Sequence, residues 1–480
     1  MQRLINLADK NITIAIKDIK IDGVEFLKLL NVEIHHAANE YACAKIVCIV
    51  DAKKGKKFIE QANADKIKIS AKVNKKDTVL FQGYISNLTL ETRIEANFLT
   101  IDLLDAAWLL DWKKETCSFQ KLTAKFEEVL KTAVKDSGGK INLKVTDKAI
   151  EQVILRLNET SWQFIKRLAS QFNAAIFTDI TAEKPLLTIG LPEPKTSTEI
   201  ISAQISYTFE DAPFQFFNAN PALLAKGTKI VAEDFFSVNV SGQIQYLNLA
   251  DSVKIDKKEY FVKEKHAQIF NGILVMNYKL VGKTAFFVPI ELQKNIYGRI
   301  FRAQVKKVEK DKIQAHLIDV DEKYDSSGTA WFPFATVYSS ADGSGWYVMP
   351  EVDDYVRILF PSIDTKDAFA ASSINTAPLK EPKNKSLKAP GGREILLTDK
   401  GVEIIAEHQK TFIQLDKDKG INIVSAKDIN ISADGNISFD AKGKIQMVSQ
   451  KEITAQSGQS HMKILANQID MGGSNIIVGE

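Results

Sequence analysis

The sequence predicts a mainly β protein with a small α+β insert and a C-terminal β-prism built by intertwined chains. Three observations carry this. Runs of alternating apolar and polar residues recur through most of the chain, as half-buried strands require. Two amphipathic helical stretches interrupt them after residue 110. Near the C-terminus an isoleucine stands at every eighth position, Ile421, Ile429, Ile437, Ile445 and Ile453.

Residues 1–110 read as strands, with NITIAIK at 11–17 and KIKIS at 66–70 alternating cleanly. The period then lengthens. Leu122, Phe126, Val129, Leu130 and Ala133 form one helical face, stopped at Gly138 and Gly139. A second helix opens at Thr160, where Gln163 completes a capping box, and its apolar face is Ile165, Leu168, Ala169 and Phe172. Strands resume over 186–288. Short strands and a Gly-rich turn, WFPF at 331–334 and GSGWYVMP at 343–350, suit a small Greek-key barrel. The stretch PLKEPKNKSLKAP at 378–390 carries three prolines and four lysines and reads as a solvated linker.

Beyond it the chain counts in eights. Each octad has apolar residues at its first and third positions: Ile421 and Ile423, Ile429 and Ile431, Ile437 and Phe439, Ile445 and Met447, then Ile453 and Ala455. The fifth is small: Ser425, Ala433, Ala441, Ser449 and Ser457. Positions one, three and five share the inner face of a strand, and the other three turn a corner. The beat extends upstream through Ile413 and Leu415, with Leu397 and Ile405 also in phase. One chain could coil alone, three octads to a turn, or three chains could intertwine. A lone chain completes only two or three turns and leaves both ends open, which favours the trimer. A stiff needle is the function implied.

Composition excludes several classes. Hydrophobic content of 45% and charged content of 26% are those of a chain that buries real cores, and a net charge of +3 gives no global field for nucleic acid. Cys43, Cys48 and Cys117 lack the spacing of a zinc site or disulfide framework and read as buried free thiols. The N-terminus has no uninterrupted apolar h-region, so no secretory signal is read, and no stretch reaches the roughly 18 apolar residues of a membrane span.

Several segments, in one order along the chain, resemble the VgrG and contractile phage tail hub-spike family. YACAKIVCIV at 41–50, LFQGY at 80–84 and NFLTIDLL at 97–104 are similar to its first hub barrel. CSFQKLT at 117–123 and NETSWQFIKRLA at 158–169 resemble its helical motifs. GQIQYLNL at 242–249 through YFVKEKH at 260–266 is similar to the second barrel, and GWYVMPEV at 345–352 to the signature turn of the spike's OB-fold. The resemblance implies tandem hub β-barrels at 1–110 and 201–292 flanking a helical insert at 111–200. It also implies an OB-fold at 293–378, a linker at 379–393 and a trimeric β-helix spike at 394–480. It further implies a homotrimer that caps a hexameric, Hcp-like inner tube, meets baseplate proteins, a PAAR-type tip protein and effector cargo, and punctures a target membrane. Such a spike is assembled in the bacterial cytoplasm and delivered as part of the particle. Type VI secretion, an extracellular phage-tail-like particle and a tailocin all remain open.

No catalytic or cofactor motif is read. Gly343 and Gly345 are followed by no phosphate-loop lysine, and no Gly-x-Ser-x-Gly elbow is present. Adjacent His35 and His36 must face opposite ways and read as incidental. His461 falls at an inner octad position by strict counting, where three copies could meet a metal; a slip by one residue turns Met462 and Ile464 inward instead, and carries more weight. Ile477 returns to the inner beat, which leaves Ile476 and Val478 to meet the tip protein. A β-helical polysaccharide depolymerase or an adhesin is the alternative function. The former needs a longer helix with a carboxylate-lined groove, and the latter an export signal.

Overall fold

The computed structural model describes residues 13–61, 66–73, 76–195, 197–199, 203–242, 245–377, 381–475 and 477. The chain divides into two units, Met1–Thr376 and Ala377–Glu480.

A 12-stranded sheet dominates the first unit. Its path runs Ile19–Asp22, Lys66–Val73, Lys76–Thr92, Asn97–Leu104, Cys43–Val50 and Lys28–Ala37, then on through Lys258–Phe270, Ile273–Val281, Phe236–Gly242 and Gln204–Phe209. The strands read as two barrels are therefore two halves of one sheet, joined where Lys28–Ala37 pairs antiparallel with Lys258–Phe270. Strand alternation sets the core. In Cys43–Val50 the even residues Ala44, Ile46, Cys48 and Val50 are buried. Cys43 starts the opposite row and is exposed, a correction to its reading as a buried thiol. The helix Ala52–Gln61 crosses this half closely, since a Cβ on Gly55 would lie 2.7 Å from a Val50 methyl. The stretch 197–199, read as part of the insert, pairs in parallel with Ser252–Ile255 and so extends the large sheet.

The insert has its own core. The helices Phe126–Val134 and Ser161–Ser170 bury Val129, Leu130, Phe164, Ile165 and Leu168 against the three-stranded sheet of Ile176–Thr178, Leu186–Ile189 and Lys140–Leu143. The capping box at Thr160 forms in both directions. Leu122 lies before the first helix and packs instead against a third core.

That third core belongs to five antiparallel strands in the order Phe332–Pro333, Lys312–Leu317, Arg299–Glu309, Tyr355–Phe360 and Phe369–Ile374. Val153, Leu155 and Leu157 from the insert complete it. A hairpin between Phe334 and Met349 carries exposed Val337, Tyr338, Trp346 and Tyr347. Its turn depends on Gly345, where φ is +144° and a Cβ would lie 2.3 Å from the Tyr338 carbonyl oxygen.

The second unit begins with five antiparallel strands, Lys385–Lys388, Glu394–Leu397, Gly401–Glu407, Thr411–Asp416 and Gly420–Val424. It ends in three: Glu452–Ser457, Ser460–Leu465 and Ile469–Gly472. Between Val424 and Glu452 the chain is extended and bent, with no strand assigned.

Candidate assembly surface

The bent segment shows what the octads do. The backbone bends at residues 426–427, 434–435, 442–443 and 450–451, once every eight residues. Between bends it runs straight. Residues 426–451 pair with no strand and form no backbone-to-backbone hydrogen bond among the described residues. Each side thus offers an unpaired row of N–H and C=O groups.

Its apolar residues are equally uncovered in a single chain. Ile429, Ile431, Ile437, Phe439, Ile445 and Met447 are all exposed, with Ile431 at 67%. Ile421 and Ile423 are exposed too, and Ile453 is half-buried. A contiguous row of this size is unusual on a finished surface.

The sheet upstream continues the row. Direct cross-strand partners share a face, and the register aligns Leu387, Ile395, Ile404, Ile413 and Ile423 in one line. Leu397, Val402, Leu415 and Ile421 form the next. Leu397, Ile413 and Leu415 therefore keep the octad phase. Ile405 does not. It lies on the other face, 6% exposed, and Ile404 takes its place beside Ile413. An irregularity between Ile405 and Glu407 at the hairpin explains the change of parity.

Downstream, Ile453 aligns with Ile464 and Ile469, and Ala455 with Met462 and Met471. The hairpin pairs Ser457 with Ser460 around two residues, Gly458 taking φ +58°. A step of three flips the inward parity from odd to even numbers, so Met462 and Ile464 share the apolar face. His461 and Lys463 take the opposite one, where His461 Nε2 lies 3.7 Å from an Asp470 carboxylate oxygen. Within one chain no three His, Cys, Asp or Glu side chains among the described residues are placed to hold a metal ion. Ile476 and Val478, the tip-binding candidates, lie outside the described residues; Ile477 between them is 91% exposed.

No protein-family model matches the chain, and no curated protein matches it. Solved structures do. One is the E. coli c3393 protein, described as a component of the type VI secretion system with structural similarity to the T4 bacteriophage tail proteins gp27 and gp5. It matches at a TM-score of 0.52 and 10% identity, over 74% of this chain and 99% of that one. A chain of the half-lidded Francisella PdpA–VgrG complex matches at 0.51 and 10%, over 86% and 87%. The chain has a VgrG-like hub-spike fold. The octads lie within the unit Ala377–Glu480, and no helix among the described residues is long and apolar enough to cross a membrane.

Sequence reasoning missed the contacts at the seam of the large sheet. His35 Nε2 lies 2.9 Å from Glu264 and His266 Nε2 lies 2.7 Å from Glu33, so His35 is no incidental residue. Only the alternation of Glu33 with His35, and of Glu264 with His266, hinted at this.

Proposed function

We propose that this chain is the trimeric spike and hub of a contractile injection system, that it caps the inner tube and that it punctures the target membrane. The observation that carries the reading is the run of bends every eight residues, with exposed isoleucines between them and no strand partner for the backbone. Two further copies supply what is missing. Each side pairs its backbone with sides from the other chains, and the apolar residues close onto a common axis. Burial is worth about 1.5–3 kcal/mol for each large side chain, enough across the octads to hold three chains together. The prism core comprises Ile421, Ile423, Ile429, Ile431, Ile437, Phe439, Ile445, Met447 and Ile453.

The five-stranded sheet between Arg299 and Ile374 is an OB-fold in this reading, while the stretch 379–393 read as a linker contains the strand Lys385–Lys388, paired with Glu394–Leu397, and so belongs in part to the spike's first sheet. Three chains present six half-sheets to a hexameric tube ring, which reconciles a threefold spike with a sixfold tube. Ile476 and Val478 meet a PAAR-type tip protein, and charged residues there should abolish its co-purification while the trimer persists. Force comes from sheath contraction, so the chain needs no catalytic centre.

The test is assembly. Mixed with a hexameric inner-tube protein, the full chain should cap tube ends in electron micrographs and cosediment with them. Failure to bind tubes, together with hydrolysis of a glycan panel, would move the protein to the depolymerase class.

A further inference from the structure

The ladder that joins the two halves of the large sheet carries ionisable groups on both faces. His36 pairs directly with Lys265, and His35 with His266. His36 and Lys265 point inward and are buried, 3% and 0% exposed. Glu33, His35, Glu264 and His266 form the outer row, as two His–Glu pairs that bracket edge-on imidazoles 6.1 Å apart.

Hydrogen bonding holds His36 in its neutral form. The Thr178 hydroxyl donates to Asp105 Oδ2 at 2.6 Å, and Asp105 also accepts the Ala42 and Ala107 amides. Thr178 Oγ1 therefore accepts from His36 Nε2–H at 3.1 Å. That leaves a neutral ring whose buried Nδ1 has no hydrogen-bond partner among the described residues. A proton there would meet no acceptor, and Lys265 stands on the paired position. Among the described residues, the Lys265 ammonium has the Tyr246 ring at 4.1 Å and Asn248 Oδ1 at 3.4 Å close by, with electrostatic support from Asp251 and Asp179. Both aspartates also accept hydrogen bonds from backbone amides. A cavity of about 230 Å³, lined by His36, Thr178, Asp179, Asn248 and Asp251, gives protons a route in.

We propose that this ladder is an acid-sensitive seam, in which protonation of His36 opens the pairing of Lys28–Ala37 with Lys258–Phe270 while the outer His–Glu pairs still tie the strands.

The signs agree. Burial, then Lys265 and His35, hold the His36 imidazole well below its ordinary 6.5, so its contribution is present above about pH 6.5 and is lost as pH falls. Burial lowers Lys265 to about 7; its destabilisation grows from pH 10.5 down to 7 and is complete below, so an ammonium already faces His36 in acid. Burial raises Asp105 to about 6. That has the opposite sign for stability, yet its proton removes the carboxylate anchoring Thr178. On the outer face, hydrogen bonds with Cys43 and Glu264 raise His35, and the bond from His35 lowers Glu264. With Glu264 lowered below its ordinary 4.5, its pair with His35 outlasts the His36 transition.

Hydrogen exchange on the full-length protein tests this. One proton taken up only by the open form costs about tenfold in protection per pH unit below 6.5. Between about pH 7.5 and 5.5, corrected for intrinsic rates, amides of 31–37 and 264–268 should lose about tenfold, while those of Arg299–Glu309 hold steady. His36→Gln keeps a donor to Thr178 and cannot titrate, so its seam should show no loss below about pH 6.5 and only the small Lys265 response near pH 7. A wild-type seam indifferent to pH overturns the proposal without any variant, as does a loss shared with Arg299–Glu309. An undiminished loss in His36→Gln overturns it equally.

Discussion

Ile431 and Phe439 stand eight residues apart on successive sides of one bent segment, and each is two-thirds exposed in a single chain, at 67% and 66%. The bend at 434–435 lies between them. Their side chains match in place and exposure because the backbone repeats, so whatever covers one must recur with the same period. Copies of the same chain satisfy that condition.

The repeat predicts how deletions behave. Removing residues 437–444 joins Asn436 to Ile445, keeps every inner position inward and shortens the prism by one strand spacing, about 4.8 Å. The protein should stay soluble and melt within a few degrees of the parent. Removing residues 437–441 instead reverses parity downstream, turning Ile445, Met447 and Ile453 outward and Gln446 and Gln450 inward. Each exposed side chain forfeits about 1.5–3 kcal/mol and each buried unpaired amide costs about 1–3 more. Limited proteolysis should then cut the distal segment; equal resistance in both variants counts against the eightfold reading.

Thr160→Ala removes half of a capping box. Thr160 Oγ1 accepts from Gln163 N at 3.2 Å and donates to Asp111, inside the insert. Urea unfolding should show a loss of about 1–2 kcal/mol, with Thr160→Ser recovering most of it.

Gly345→Ala places a Cβ 2.3 Å from the Tyr338 carbonyl oxygen at a φ of +144°, whereas Gly343, at φ +88°, faces open space. The hairpin between Phe334 and Met349 cannot close around the first change without backbone movement. It should cost about 1–3 kcal/mol, and Gly343→Ala about 1. Melting temperatures in that order support the geometry, and the reverse order contradicts it.

Lys265→Met removes a buried ammonium. Lys265 is lowered from 10.5 to about 7 by burial, so the unfolded chain takes up a proton across that window that the native chain refuses, and stability falls as pH drops from 10.5 to 7. The variant should be more stable by about 1–3 kcal/mol near pH 7, with the gain shrinking toward pH 10.5. A variant less stable at every pH would show that the ammonium is well compensated.

What the sequence revealed follows from local rules. The helices of the insert were legible because Phe126, Val129 and Leu130, like Ile165 and Leu168, recur at helical spacing, and the Thr160 cap needs only residues three apart. The octad corners were legible because each is set by its own eight residues. Pairing between distant strands was not. Beyond the matching Glu–His alternations, nothing near His35 announces His266, 231 positions on, so the joining of two half-sheets is a tertiary fact. Strict counting fails at Ile405 because the register shifts between Ile405 and Glu407, and at His461 because the hairpin steps by three, where the slip that turns Met462 and Ile464 inward is the favoured reading.

If three chains share one prism, the mass of the assembled particle reveals it. Native mass spectrometry or sedimentation at micromolar concentration should give three times the 53.5 kDa chain, with the trimer lost when Ile429, Ile437 and Ile445 are changed together to lysine. A folded 53.5 kDa monomer, rich in β signal and resistant to proteolysis through residues 426–451, would contradict the account.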